Sequence, residues 1–113
     1  MVVDDDPSIR SLLRSALSVE DDFGEVREAV NGREAVRVCG DFAPDVVLLD
    51  NWMPGSDGAS TAARLKELHP EARIVAFSGV IEGKPEWADA FVTKGEGDGL
   101  DTVIDLARTA AAG

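Results

Sequence analysis

The feature that most constrains the fold is a run of four consecutive apolar residues, Val46-Val47-Leu48-Leu49, that ends in Asp50. A strand with one face in water alternates apolar and polar side chains, whereas a parallel strand covered on both faces is apolar throughout. The run therefore predicts a buried parallel strand, and it leaves the Asp50 carboxylate at the carboxyl end of that strand.

Other segments carry the signals of strands. Residues 73–77 form a second predicted buried strand, which is apolar after Arg73, and Ser78-Gly79 follows it directly. The remaining predicted strands are residues 2–3, 25–29 and 90–93. Together with the strand that ends at Asp50, these segments predict a sheet of five strands.

The segments between the predicted strands carry apolar residues at helical spacing. Apolar residues recur at spacings of three and four after Pro7, which predicts an amphipathic helix that begins at Pro7 or Ser8. A second helix follows Asn31-Gly32, interpreted as a turn and N-cap, and a third covers residues 59–68 after a predicted loop at residues 54–58. The last helical stripe consists of Leu100, Val103, Ile104 and Ala107.

Strands and helices thus alternate along the whole chain. We therefore predict a doubly wound α/β fold with a five-stranded parallel sheet, in a single domain that spans residues 1–113. Ligands of such sheets bind outside the carboxyl ends of the strands. The residues that follow the strands are accordingly the place to look for chemistry.

Charge and apolar content exclude several classes of function. The net charge of −11 would repel a phosphate backbone, so direct binding of nucleic acid is not expected. The longest apolar runs have four residues, whereas a membrane-spanning helix needs about 20. No secretory signal pattern opens the sequence, and the lone Cys39, expected in the core, fits a reducing compartment. We expect a cytoplasmic protein that has no contact with membranes.

Polar residues of complementary chemistry follow four of the predicted strands, namely Asp4-Asp5, Asp50, Ser78 and Lys94. Neighbouring carboxylates repel one another unless a cation lies among them, and Mg²⁺ combines one or two carboxylates with phosphate oxygens. Asp50 could then attack phosphorus as a carboxylate nucleophile and form an acyl phosphate. Lys94 would pair with the phosphoryl oxygens, and the Ser78 hydroxyl would donate a hydrogen bond to one of them.

These residues, in this order, resemble the receiver domain of bacterial two-component response regulators. The resemblance rests on Val3-Asp4-Asp5-Asp6-Pro7, on Leu49-Asp50-Asn51-Trp52-Met53-Pro54-Gly55 with Asp57-Gly58, on Phe77-Ser78-Gly79 and on Thr93-Lys94-Gly95. Each motif alone is weak, but the ordered set covers essentially the whole chain. It implies the flavodoxin-like, CheY-like form of the doubly wound fold.

The resemblance also implies roles for individual residues. Asp50 would be the phosphoacceptor, and Lys94 and Ser78 would assist the transfer. Asp5, Asp50 and the backbone carbonyl of Trp52 would bind Mg²⁺, while Asp4 would hydrogen-bond metal-bound water. Ser78 and Phe91 would form the switch that responds to phosphorylation.

A receiver domain implies particular partners and a particular kind of activity. A sensor histidine kinase would donate the phosphoryl group, and an effector domain or target protein would receive the signal. A second copy of the chain is a further candidate partner. Such a domain catalyses only its own phosphorylation and slow dephosphorylation, so it is not an enzyme in the usual sense.

The segment before the last strand departs from the family pattern. Family members usually have a fourth helix here. In this sequence, residues 79–88 are too short a segment for a full helix, and they include Gly83 and Pro85. We expect this helix to be shortened or missing, with Val80, Ile81 and Trp87 covering the sheet or contacting a partner. A regular helix of three turns would contradict this expectation.

Two other functions compete with that of a receiver. An aspartyl-phosphate hydrolase also uses a strand-end aspartate with Mg²⁺, but it usually needs a second acid two residues later, where this sequence has Trp52. A degenerate receiver, acting as a constitutive interaction or dimerisation module, is the second alternative. The complete set of acidic residues argues against it, and the altered segment at residues 79–88 argues for changed output.

Overall fold

A computed structural model describes residues 1–19, 23–50, 52–53, 56–78, 85–93, 104–105 and 108–109 of the chain. In chain order, its elements are β1 (Val2–Val3), α1 (Pro7–Ser18), β2 (Glu28–Ala29), α2 (Gly32–Val38), β3 (Val46–Asp50), β4 (Trp52–Met53), β5 (Ser56–Asp57), α3 (Gly58–Leu68), β6 (Arg73–Ser78) and β7 (Ala90–Thr93). Residues 104–105 and 108–109 are also helical.

Five of the strands form one parallel sheet in the order β2-β1-β3-β6-β7. The predicted doubly wound fold with a five-stranded parallel sheet is therefore confirmed. Strand β3 lies at the centre of the sheet and pairs along its whole length with β6, from Val46 opposite Arg73 to Asp50 opposite Phe77. The carboxyl end of β3 is thus flanked by strand ends on both sides.

The apolar run of β3 is explained by helices on both faces of the sheet. Val47 and Leu49 point into a core that includes residues of α2 and α3, whereas Val46 and Leu48 point into a second core with Leu13 and Leu17 of α1. All five residues of β3 are buried. Each successive side chain meets a different apolar layer, so no position of the strand can be polar until Asp50.

Of the loop predicted at residues 54–58, residues 54–55 lie outside the described residues, and the remaining three are strand β5 and the first residue of α3 instead. Strands β4 and β5 pair in antiparallel fashion, with Trp52 opposite Asp57, and α3 begins directly after β5. The Asp57 side chain caps this helix by accepting a hydrogen bond from the Ala59 N–H at 3.0 Å. The antiparallel pair of β4 and β5 therefore lies between the carboxyl end of β3 and the start of α3.

The prediction of a shortened or missing fourth helix falls mainly on residues 79–84, which lie outside the described residues. Within the described part, residues 85–88 form a turn in which the Ala88 N–H donates to the Pro85 carbonyl at 3.1 Å. Trp87 is half-buried and packs against the core that includes residues of α2 and α3, as expected if it covers the sheet, whereas Val80 and Ile81 lie outside the described residues. None of the helices in the described ranges combines the length and the apolar character of a membrane span.

Helices α2 and α3 are in close contact at Gly32 and Thr61. A Cβ atom added to Gly32 would lie 2.1 Å from the Thr61 hydroxyl oxygen, and Thr61 is buried. A side chain at position 32 would therefore require Thr61 or one of the helices to move.

We predict that Gly32→Ala lowers the free energy of unfolding by about 1–3 kcal/mol, because the new methyl group overlaps Thr61. The double variant Gly32→Ala/Thr61→Ala should be more stable than the sum of the two single changes predicts, since Thr61→Ala removes the overlapping atoms. Urea denaturation of the three variants tests the coupling. Strictly additive effects would show that the contact does not limit the packing.

The carboxylate of Asp89, the residue before the edge strand β7, connects the start of this strand to the rest of the sheet. Its Oδ2 atom accepts hydrogen bonds from the Ile74 N–H at 2.8 Å and from the Lys66 ammonium group at 3.0 Å. The Lys66 group also donates to the Ala72 carbonyl at 2.6 Å. Burial alone would raise the pKa of Asp89, but these hydrogen bonds and the nearby cations outweigh it and hold the pKa below its usual value.

We predict that Asp89→Asn lowers the free energy of unfolding by about 1 kcal/mol at pH 7, a value discounted for partial exposure. Because the folded pKa is depressed, this contribution is complete above the ordinary aspartate pKa of about 3.9 and is lost as the pH falls through the lower folded value. Urea denaturation at pH 7 and pH 3 tests this. Glu67→Gln, at an exposed pair with Arg64 of 3.8 Å, is the matched control, and an equal effect of both variants would contradict the prediction.

Candidate functional site

Three carboxylates converge at the carboxyl ends of β1 and β3. Strand β1 pairs with β3 so that Val3 lies beside Leu49, and the next residues along the two strands are Asp4 and Asp50. One carboxylate oxygen from each of Asp4, Asp5 and Asp50 lies within 4.8 Å of the other two. Asp4 and Asp50 are 1% and 3% exposed, whereas Asp5 faces solvent.

The turn after β1 is shaped by its own aspartates. The Asp4 N–H continues the sheet by donating to the Ala29 carbonyl at 3.1 Å, and Asp4 Oδ1 accepts the Asp6 N–H at 2.9 Å. Asp6 then caps α1 by accepting the Ser8 N–H at 2.8 Å, with Pro7 as the first helical residue. Of the three consecutive aspartates, Asp6 therefore serves the helix, while Asp4 and Asp5 belong to the acidic cluster.

The cluster has the chemistry of a site for a hard divalent cation. Two ligands of one Mg²⁺ ion, at about 2.1 Å each, lie at most about 4.2 Å apart. Oxygens separated by up to 4.8 Å therefore fit one ion after a small contraction, or with water between the ion and one carboxylate. Carboxylates this close repel each other strongly in a partly buried setting, and a cation would relieve that repulsion.

The other residues predicted for the site are described to different extents. Ser78 is the last residue of β6 and lies opposite Thr93 of β7, one residue beyond the Phe77 that pairs with Asp50. The backbone of Trp52 begins β4, two residues after Asp50. Lys94 lies outside the described residues, directly after the end of β7.

Phe91, predicted as a switch residue, lies in the middle of the edge strand β7. It is half-buried and pairs with Ala76 of β6. The register thus places Ser78 and the end of β7 at the carboxyl-terminal side of the sheet, where the acidic cluster also lies. Phe91 lies two residues before Thr93 and is therefore farther from this side.

One residue of the site was missed by sequence reasoning. The Arg10 Nη1 atom of α1 donates to the Asp4 carbonyl at 2.8 Å. The available signal was its spacing, since a helix that begins at Pro7 places Arg10 one turn after the aspartates. Nothing in the composition distinguishes Arg10 from the other arginines.

A family model decides what kind of domain carries this site. The model described as response regulator receiver domain matches residues 1–105. The chain belongs to the family of response regulator receiver domains. The resemblance predicted from the sequence motifs is confirmed.

Individual relatives agree with this assignment. The chain is 34% identical over 102 residues to the chemotaxis protein CheY of Halobacterium salinarum, a match that covers 83% of this chain and 82% of the relative. It is 32% identical over 100 residues to the nitrate/nitrite response regulator NarL of Escherichia coli K12, covering 83% of this chain but only 46% of NarL. The matched region is thus about half the length of that response regulator.

Solved structures show the same receiver fold. The receiver domain of NtrX from Brucella abortus superposes with a TM-score of 0.80 at 34% identity and covers 98% of this chain and 96% of its own. The response regulator TrrA of Thermotoga maritima, in complex with Mg²⁺-BeF, gives a TM-score of 0.81 at 28% identity and covers 96% and 95%. The family and the fold are therefore supported by sequence and structure alike.

We predict that Mg²⁺ stabilises the folded chain, because only the folded chain assembles the acidic cluster. At a free Mg²⁺ concentration ten times the dissociation constant, the gain is about 1.4 kcal/mol, which corresponds to a rise of about 5 °C in melting temperature. Thermal denaturation with MgCl₂ or with EDTA measures this difference.

Asp50→Asn is the informative variant for the same measurement. It should raise the melting temperature in EDTA, because one of the clustered charges is removed, and should lose most of the Mg²⁺-dependent rise. Asp41→Asn changes the net charge equally at an exposed position and should keep the full rise. An identical response of both variants to Mg²⁺ would contradict binding at the cluster.

Proposed function

We propose that the chain accepts a phosphoryl group on Asp50 from a partner histidine kinase, in a Mg²⁺-dependent reaction, and signals through the resulting change in conformation. The observation that carries the proposal is the buried Asp50 carboxylate at the end of β3, within 4.8 Å of Asp4 and Asp5, in a chain of the receiver family. The relative TrrA in complex with Mg²⁺-BeF supports the choice of metal.

The acidic cluster divides into a nucleophile and its supports. Asp5, Asp50 and the Trp52 carbonyl would hold Mg²⁺, and Asp4 would accept hydrogen bonds from water on the ion. The bound ion would neutralise negative charge on the transferred phosphoryl group. Asp5 suits a ligand role because it faces solvent, from which the ion must arrive, whereas Asp4 is held by the Asp6 N–H.

In the transfer itself, an Asp50 carboxylate oxygen forms a bond to phosphorus while the bond from phosphorus to the donor histidine nitrogen breaks. The imidazole leaves with the electron pair of that bond and takes up a proton, and Asp50 becomes an acyl phosphate. Burial of Asp50 keeps bulk water away from the carboxylate, which favours a nucleophile with a small hydration shell. The other residues of the site need only orient the group and balance its charge.

Ser78 and Lys94 complete the proposed site. Ser78 ends β6 on the strand next to Asp50, so its hydroxyl is assigned a hydrogen bond to a phosphoryl oxygen. Lys94 follows β7 and is assigned an ion pair with the same group. Phe91 responds from the middle of β7, so that phosphorylation changes the edge of the sheet that a target would meet.

The proposal extends to the biological setting. The domain acts in the cytoplasm and passes its signal to an effector domain or a separate target protein, in line with a match to only 46% of NarL. We propose that residues 1–113 form a single domain. The complete acidic cluster argues against the degenerate module, and Trp52 in place of the second acid argues against the hydrolase.

Incubation with MgCl₂ and acetyl phosphate tests the proposal directly. We predict one hydroxylamine-labile phosphoryl group per chain, located on Asp50 by mass spectrometry of peptides. Asp50→Asn should remain unmodified, while the control Asp41→Asn should react like the wild type. A wild-type chain that is never labelled would support the degenerate module, and rapid turnover of phosphate esters would support the hydrolase.

A further inference from the structure

A guanidinium group lies against the backbone of the acidic turn. Arg10 Nη1 donates to the Asp4 carbonyl at 2.8 Å, and the Arg10 side chain is only 16% exposed. This carbonyl belongs to the peptide group that joins Asp4 to Asp5. The contact therefore restrains the orientation of this peptide group, and with it the position of the Asp5 side chain that follows.

Arg10 is itself anchored from the opposite side. Its Nε atom lies 3.5 Å from Glu28 Oε1, and Arg14 Nη1 lies 2.7 Å from the other carboxylate oxygen of Glu28. Glu28 belongs to β2, which pairs with β1 so that Ala29 lies beside Val3. A chain of contacts thus runs from the sheet through Glu28 and Arg10 to the Asp4 carbonyl.

We propose that Arg10 is a positioning residue for the metal site, which fixes the Asp4–Asp5 peptide so that the Asp5 and Asp50 carboxylates face one ion. This inference rests on the proposed function, since it concerns Mg²⁺ binding at the same cluster. Outer groups that orient metal ligands typically contribute 10–100-fold to metal affinity. The planar fork of Arg10 can hold the carbonyl and Glu28 together, which the single ammonium group of lysine cannot do in the same geometry.

Simple electrostatics makes the opposite prediction. A positive charge beside a cation site repels the cation, so an Arg10 that acted only through its charge would weaken Mg²⁺ binding. Removing the charge would then tighten binding, and replacing it with lysine would leave binding unchanged. A positioning role requires that both substitutions weaken binding, so the sign of the effect separates the two explanations.

Arg14 offers a matched control on the same helix. It shares the partner Glu28, its side chain is 58% exposed, and its hydrogen bond goes to Glu28, away from the Asp4 carbonyl. Arg14→Lys and Arg14→Gln change charge and hydrogen bonding as the Arg10 variants do. They leave the restraint on the acidic turn in place.

Isothermal titration of the chain with MgCl₂ alone, without any phosphodonor, tests the inference. We expect the dissociation constant to rise about tenfold in both Arg10→Lys and Arg10→Gln and to change less than about twofold in the two Arg14 variants. Melting temperatures in EDTA should be similar for Arg10→Lys and Arg14→Lys, which separates positioning from a general loss of stability. In the cycle with Glu28→Gln, the double variant Arg10→Lys/Glu28→Gln should bind Mg²⁺ no more weakly than Arg10→Lys alone.

The outcomes distinguish this inference from the function on which it rests. Unchanged or tighter binding in the Arg10 variants, with a wild-type chain that binds Mg²⁺, would overturn the positioning role and leave the proposed function intact. A wild-type chain that does not bind Mg²⁺ would overturn the Mg²⁺-dependent function together with the inference. Equal losses in the Arg10 and Arg14 variants would assign the effect to a general disturbance of α1 and would also overturn the positioning role.

Discussion

The site depends on the parallel pairing of β1 with β3. Val3 lies beside Leu49, so the last apolar residues of the two strands are at the same level. The next residues, Asp4 and Asp50, are therefore brought close together. A shift of one residue in this register would turn Val3 and Leu49 toward different cores and separate the two carboxylates. Burial of the apolar residues on both faces therefore enforces the proximity of two like charges that would otherwise remain apart.

The same constraint explains which parts of the fold could be predicted from sequence. Strand β3 is apolar at each position before Asp50 because its side chains alternate between two cores, and this leaves a clear signal in the sequence. Helix α1 carries its signal in the Asp6 cap and in Leu13 and Leu17, which face the sheet. Where local pattern and tertiary burial agree, the predicted bounds lie within one or two residues of those observed.

Predictions from sequence were weaker where an element depends on distant partners. The predicted strand 25–29 is reduced to Glu28–Ala29, since only these residues pair with the two-residue β1. Strand β5 (Ser56–Asp57) falls within the loop predicted at residues 54–58, because its partner β4 is too short to give an alternating pattern. Asp89 was not recognised as an anchor for β7, because its partners Lys66 and Ile74 are 23 and 15 residues away.

The same distinction applies within the site. The carboxylates could be predicted because each follows a strand, and strand ends of a parallel sheet meet at one edge. Arg10 could not, because its contact with the Asp4 carbonyl involves a backbone atom, and its anchor Glu28 lies on another strand. A cluster of negative charges is easily recognised in sequence, whereas the groups that hold its backbone in place are recognised only from the fold. In the proposed metal site, that restraint would decide whether the carboxylates converge on one ion or move apart.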